Sequence, residues 1–279
     1  MSASTPFMID SPTGLPLHGL VDLPDEPGER PAVVICHGFK GFMEWGFFPA
    51  LATLLAERGF TTFRFNLSGA GQLPGEDRVS DPEAFRANTY SRELADLLAV
   101  LDALESIAPG RVDPKRLGLL GHSRGGGAVV LAAAQAPWSD RVRALVTWAA
   151  ISKLDRFTPE QKEQWRRDGF YPAVNARTRQ ELQLGLGLLE DIEARGAEGD
   201  IPAAAARMRA PWLIVHGEQD ESVPVEEAAR LAEAAGGPKE VLIIPGGSHT
   251  FGSRHPFAGP TPQLIQALNA TQTWFRRYL

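Results

Sequence analysis

Ser123 stands in Gly121-His122-Ser123-Arg124-Gly125, directly after an apolar run ending in Leu119-Leu120 and directly before a run with helical spacing. A G-x-S-x-G segment between a strand and a helix predicts a sharp turn, with glycine wherever a Cβ would collide with the neighbouring element. Such a turn holds the serine hydroxyl over a helix N-terminus, where an anionic intermediate is favoured. Two groups further along the chain would complete the chemistry: Asp220 in GEQDESVP (217–224) and His249 in GGSHTFG (246–252). Hydroxyl, imidazole and carboxylate are the inventory of acyl transfer. Ser123 would attack a carbonyl, His249 would carry the proton, and the acid would hold the imidazole in the right tautomer. Glu218 and Glu221 compete with Asp220 for the acid's place; its position three residues past Gly217 favours Asp220.

These groups need a scaffold, and the hydrophobic pattern supplies one. After an extended region over about 7–23, PAVVICHG reads as a buried strand and WGFFPALATLLAER (45–58) as a helix. FTTFRFNLSG follows as a strand, 84–107 as one long helix, RLGLLG as a strand, 124–135 as a helix and 143–150 as a strand. The alternation resumes with a strand at 211–217, a helix at 225–235, a strand at 240–246 and a C-terminal helix over 261–278. Alternating strands and helices predict an α/β fold: a mainly parallel sheet with helices on both faces. The stretch 151–209 is rich in Arg, Glu and Gln and shows helical spacing without a convincing strand. It is expected to be a helical cap inserted into a core made of 1–150 and 210–279. All the chemistry-bearing segments follow strands, at the sheet end where ligands bind in parallel α/β folds.

Bulk properties exclude several other functions. A formal charge of -6, without a basic cluster interleaved with aromatics, argues against a nucleic-acid partner. No apolar run approaches the ~20 residues of a membrane span, and MSASTPFMIDSPTG lacks the basic start and apolar core of a signal peptide. The single cysteine, Cys36, fits a reducing cytoplasm and reads as a buried, inert thiol. No metal-type Cys/His spacing appears. Gly185-Leu186-Gly187 has no preceding strand and is not a dinucleotide site. Of the other histidines, His37 and His122 would shape loops beside glycines, His216 would be a core residue, and His18 and His255 surface or loop residues.

Taken together, HGFKGF (37–42), GHSRGG (121–126), HGEQDESVP (216–224) and SHTFG (248–252) resemble the α/β-hydrolase superfamily, and within it the dienelactone hydrolase-like and prolyl-oligopeptidase-like serine esterases. The resemblance covers nearly the whole chain except the cap, and the order Ser, Asp, His is that superfamily's order. It implies an oxyanion hole made by the backbone N–H groups of Phe39 and Arg124. It implies no cofactor, since water is the second acceptor. The chain departs from a common pattern at RFNLSGAG, where Asn66 and Ser68 replace an Asp and an Arg; this touches the loop near the site. A nucleophilic cysteine is absent, which disfavours the dienelactone reaction itself.

The expected function is therefore hydrolysis of small to medium carboxylic esters through an acyl-enzyme. Peptidase, thioesterase or acyltransferase action by the same three groups is the alternative, as is a silent fold used for binding. Phe39, Phe42, Trp45, Phe47 and Phe48 crowd the oxyanion segment, and Phe157, Trp165, Phe170 and Tyr171 lie in the cap. Most would be core. Lys40, Trp45 and Trp148 are the candidates for a substrate pocket, Lys40 either as a solvated loop residue or as the holder of a substrate carboxylate. A homo-oligomer stays open.

Overall fold

Every side chain of Pro31–Cys36 is buried, so this strand needs apolar cover on both faces, as parallel strands do. The computed structural model, which describes residues 4–279, supplies it. Its strands are β1 (Thr5–Asp10), β2 (Pro16–Asp22), β3 (Arg30–Cys36), β4 (Thr61–Phe65), β5 (Val112–His122), β6 (Val142–Trp148), β7 (Phe170–Asn175), β8 (Gln180–Gly185), β9 (Trp212–Gly217) and β10 (Lys239–Ile244). Eight of them form one sheet in the order β1-β2-β4-β3-β5-β6-β9-β10. The pairs β1/β2 and β2/β4 are antiparallel; from β4 to β10 all neighbours are parallel.

The helices are α1 (Phe48–Glu57), α2 (Pro82–Arg86), α3 (Tyr90–Ile107), α4 (Arg124–Ala133), α5 (Trp138–Arg141), α6 (Pro159–Asp168), α7 (Leu186–Arg195), α8 (Ile201–Arg207), α9 (Glu226–Ala234) and α10 (Pro262–Tyr278). Alternation along the strands sorts the core into two layers. Val33, Ile35, Leu120 and Val146 pack with α1 and α10 on one face. Val34, Cys36, Leu119 and Leu145 pack with α3, α4, α8 and α9 on the other. The chain leaves β3 toward β4 and leaves β5 toward β6, in opposite directions along the sheet. The switch point between β3 and β5 opens the crevice in which such sheets place their sites.

Three local expectations are corrected. The helix expected from Trp45 begins at Phe48, where Pro49 is tolerated in the first turn because its missing N–H has no intrahelical partner there. The helix expected over 84–107 is two, because Thr89 caps α3 by accepting from the Arg92 N–H at 3.1 Å. The insertion between β6 and β9 is not strand-free: β7 and β8 pair as an antiparallel hairpin from Phe170↔Gly185 to Asn175↔Gln180. Leu182 and Leu184 turn inward along β8 and alternate with exposed or half-buried Glu181 and Gln183. No helix among the described residues is long and apolar enough to cross a membrane.

Candidate active site

The serine is held where the backbone is strained. Ser123 has φ +57° and ψ -120°, a conformation costly for a residue with a Cβ, at the junction of β5 and α4. The flanking glycines are explained by close approach. A Cβ on Gly121 would lie 2.3 Å from the Gly125 carbonyl oxygen, and one on Gly125 would lie 2.4 Å from that of His37. The Ser123 N–H donates to the Trp148 carbonyl at 2.8 Å, which ties the turn to β6.

Next to it, the loop after β3 is fixed by His37. Its Nδ1–H donates to the Gly38 carbonyl at 2.8 Å, and its Nε2 accepts from the Leu67 N–H at 3.1 Å. Burial pushes its pKa down to about 4, so the ring is a neutral strut. Gly38 abuts the serine turn, and the N–H groups of Phe39 and Arg124, the expected oxyanion pair, have no hydrogen-bond partner among the described residues. Asn66 and Ser68 brace the neighbouring loop: Asn66 accepts from the Met43 N–H at 2.8 Å, and Ser68 bonds to Asp96 at 2.7 Å.

The acid and the imidazole meet across two loops, after β9 and after β10. His249 Nδ1–H donates to Asp220 Oδ2 at 2.8 Å. Asp220 Oδ1 accepts from the N–H groups of Ser222 and Val223, both at 2.8 Å. Burial alone would raise the Asp220 pKa, but the hydrogen bonds from His216 and His249 and the Val223 N–H outweigh it and hold the carboxyl well below the usual range. Glu218, which competes for the acid's place in the sequence, accepts from the Gly246 N–H at 2.9 Å. His249 and Ser123 line one cavity of about 400 Å³, together with Phe39, Lys40, Tyr90, Arg124, Ile151, Arg156, Phe157, Leu184, Ser222 and Val223. No hydrogen bond joins the Ser123 hydroxyl to His249 in this structure. Catalytic contacts of this kind are commonly long without substrate and tighten when it binds.

With the geometry described, its relatives can be set beside it. The model of the alpha/beta hydrolase family matches residues 33–259. The chain belongs to the alpha/beta hydrolase family. It is 27% identical over 92% of its length to an uncharacterized 31.7 kDa protein of the Escherichia coli traX-finO intergenic region, covering 94% of that protein. It is 28% identical over 75% of its length to the 2,6-dihydropseudooxynicotine hydrolase of Paenarthrobacter nicotinovorans, spanning 49% of that enzyme. Among solved structures, Est1E from Butyrivibrio proteoclasticus with ferulic acid bound superposes with a TM-score of 0.74, at 24% identity and 98% coverage of both chains. DcsB, in complex with its substrate analogue, superposes with a TM-score of 0.76 at 18% identity, covering 99% of this chain and 100% of its own. At these identities the two structures speak for the fold.

Two pocket expectations fail in this alpha/beta hydrolase. Trp148 is fully buried, its indole N–H donating to Thr271 Oγ1 at 3.0 Å and its ring packed on Phe47 and Phe251. Trp45 lies edge-on to Phe47 and stacks on His255, outside the cavity lining. Both belong to the layer that holds α1 and α10, Trp148 by alternation along β6 and Trp45 from the loop before α1. Lys40 does line the cavity, with φ +59° and its Nζ donating to the Val174 carbonyl of the β7–β8 hairpin at 2.6 Å. Cys36 is buried, and burial first, then Glu93 and Asp96, raise its thiol pKa, which keeps it protonated and inert.

Around the candidate triad, His216 is the core residue expected and His122 shapes a loop as expected, while Glu93 was not singled out. His216 Nε2 lies 3.3 Å from Asp220 Oδ2 and 2.9 Å from the Val223 carbonyl, giving the acid a second imidazole neighbour. His122 Nε2–H donates to the His249 carbonyl at 2.9 Å; burial, then His249, push its pKa down to about 3, so it positions the His249 loop as a neutral group. Glu93 on α3 accepts from Arg124 Nε at 2.7 Å, a buried pair at the first turn of α4.

Proposed function

We propose that this protein is a serine hydrolase of carboxylic esters acting through an acyl-enzyme on Ser123. The observation that carries the reading is the 2.8 Å hydrogen bond from His249 Nδ1 to Asp220, with the imidazole and the strained Ser123 lining one cavity. Because Asp220 takes the proton-bearing Nδ1, Nε2 is the nitrogen left to act as base. In the proposed step, Ser123 Oγ attacks the ester carbonyl as its proton passes to His249 Nε2. The carbonyl oxygen, now anionic, is met by the N–H groups of Phe39 and Arg124 at the start of α4. Collapse of the tetrahedral adduct breaks the bond to the alcohol oxygen, which takes the proton from His249. Water, deprotonated by the same imidazole, then releases the acid and restores Ser123. A cavity of this size suits a small to medium ester with an apolar body, since Phe39, Ile151, Phe157, Leu184 and Val223 form its walls.

The test is hydrolysis of matched acetyl esters, thioesters and amides by the wild type and by Ser123→Ala. The ester is expected to be the best substrate, and the substitution to lower kcat by about 10⁴ or more. Preference for amides or thioesters would move the reading to a peptidase or thioesterase. Ester turnover retained in Ser123→Ala would remove Ser123 from the mechanism.

A further inference from the structure

Three cationic side chains line the cavity, Lys40, Arg124 and Arg156, and no carboxylate does among the described residues. Their own partners separate them. Arg156 is satisfied, pairing with Glu227 and donating to the Ser222 carbonyl at 3.1 Å. Arg124 is not. Only its Nε has a hydrogen-bond partner, Glu93 Oε2, while the other Glu93 oxygen accepts from Asn88 Nδ2 at 2.7 Å. Its Nη2 is buried without a partner on a side chain only 7% exposed. The guanidinium carbon sits 4.0 Å over the Tyr90 ring and 5.2 Å from the Phe39 ring centre, and both rings are walls of the cavity. Clamped between aromatic faces, the fork cannot swing out to water. Lys40 has no carboxylate partner among the described residues: its Nζ donates to a backbone carbonyl at 2.6 Å and lies 5.1 Å over the Phe39 ring.

The guanidinium carries more donors than Glu93 accepts, Nη1 having no hydrogen-bond partner among the described residues, and unpaired donors at a cavity wall favour a ligand that brings acceptors. The chemical complement of a planar guanidinium fork beside an ammonium is a carboxylate. Its place follows from the cavity. Arg124 and Lys40 line the same cavity as Ser123, so the anion would share the pocket with the reacting carbonyl. We propose that the preferred substrates are esters carrying a carboxylate close to the scissile bond, held by Arg124 and Lys40 while the apolar walls take the rest. This rests on the reading of Ser123 as nucleophile and adds a charge requirement to it.

Two matched pairs test the idea and locate the carboxylate. p-Nitrophenyl hydrogen glutarate against p-nitrophenyl valerate places it on the acyl side; 4-acetoxybenzoate against phenyl acetate places it on the leaving group. The anionic member of at least one pair is expected to show kcat/KM roughly 10- to 100-fold above its neutral partner. That ratio is expected to fall about tenfold in Lys40→Met, and also in Arg124→Lys, which keeps a cation opposite Glu93 but loses the fork. If wild type cleaves the neutral members as well as the anionic ones, or if both variants keep the wild-type ratio, the inference is overturned while the ester-hydrolase reading stands. If no ester of the four is cleaved and Ser123 takes no fluorophosphonate label, both fall.

Discussion

Asp220 shows how one residue is made fit for its task. It accepts from two backbone N–H groups and from His249, and a second imidazole lies 3.3 Å away, so it stays ionised far into acid. Any loss of rate on mild acidification is thus not assigned to the Asp220 carboxylate. Replacing the acid by its amide removes the acceptor that selects the tautomer: Asp220→Asn is expected to lower kcat for an activated ester by about 10⁴ with little change in KM. Steady-state kinetics check this, and a KM-only effect would mean that Asp220 shapes the cavity. Ser123, Asp220 and His249 were legible in the sequence as candidates because each sits in a short glycine-bearing segment after a strand. His216 and His122 were legible as a core and a loop-shaping residue, but not their contacts to Asp220 and His249, which depend on how the loops fold; Glu93 gave no signal because its partner Arg124 lies 31 residues on. Trp45 and Trp148 misled for the same reason: nearness in sequence to the loop does not say which face of the sheet a ring occupies.

At the scale of elements, α3 and α4 are joined by the Arg124–Glu93 pair, with side chains 7% and 3% exposed. Such a pair adds little compared with an apolar replacement, but breaking it leaves a charge buried alone. Glu93→Ala is expected to destabilise the fold by about 3–5 kcal/mol, read from urea unfolding. A loss below 1 kcal/mol would mean that Arg124 finds another partner or reaches water. The strands and helices that carry the candidate triad followed from periodicity, since parallel strands read as continuous apolar runs. The β7–β8 hairpin did not, because FYPAVN and QELQLG contain Pro, Glu and Gln, which are depleted in strands, and the alternation rests on few residues. The break between α2 and α3 was equally hard to see, as its mark in the sequence is the single Thr89 that caps α3.

For the molecule as a whole, buried neutral histidines set the response to acid. The His37 pKa is lowered to about 4 and that of His122 to about 3, against 6.5 for the free side chain, by burial in both cases. Between about pH 6.5 and pH 4 the unfolded chain therefore binds protons that the native one refuses, so stability is complete above 6.5 and falls as pH drops. Each such group contributes a slope of up to about 1.4 kcal/mol per pH unit. Asp220 is ionised in the native state, where the two histidines are neutral, but its effect has the same sign. Its contribution is present above about pH 4, the ordinary Asp range, and is lost below that, so the two windows join. Unfolding free energy measured from pH 7 to pH 4 is expected to fall steeply, and His37→Gln to flatten the curve while lowering its plateau. A pH-independent stability across that range would contradict the neutral-strut account.

The central claim is that Ser123 is the nucleophile served by His249 and Asp220. Its most direct measurement is reaction with a fluorophosphonate probe followed by peptide mapping, in wild type and in His249→Ala. The account predicts one adduct, on the peptide containing Ser123, formed at least 10³-fold more slowly without the imidazole. An adduct on another residue, none at all, or an undiminished rate in His249→Ala would contradict it.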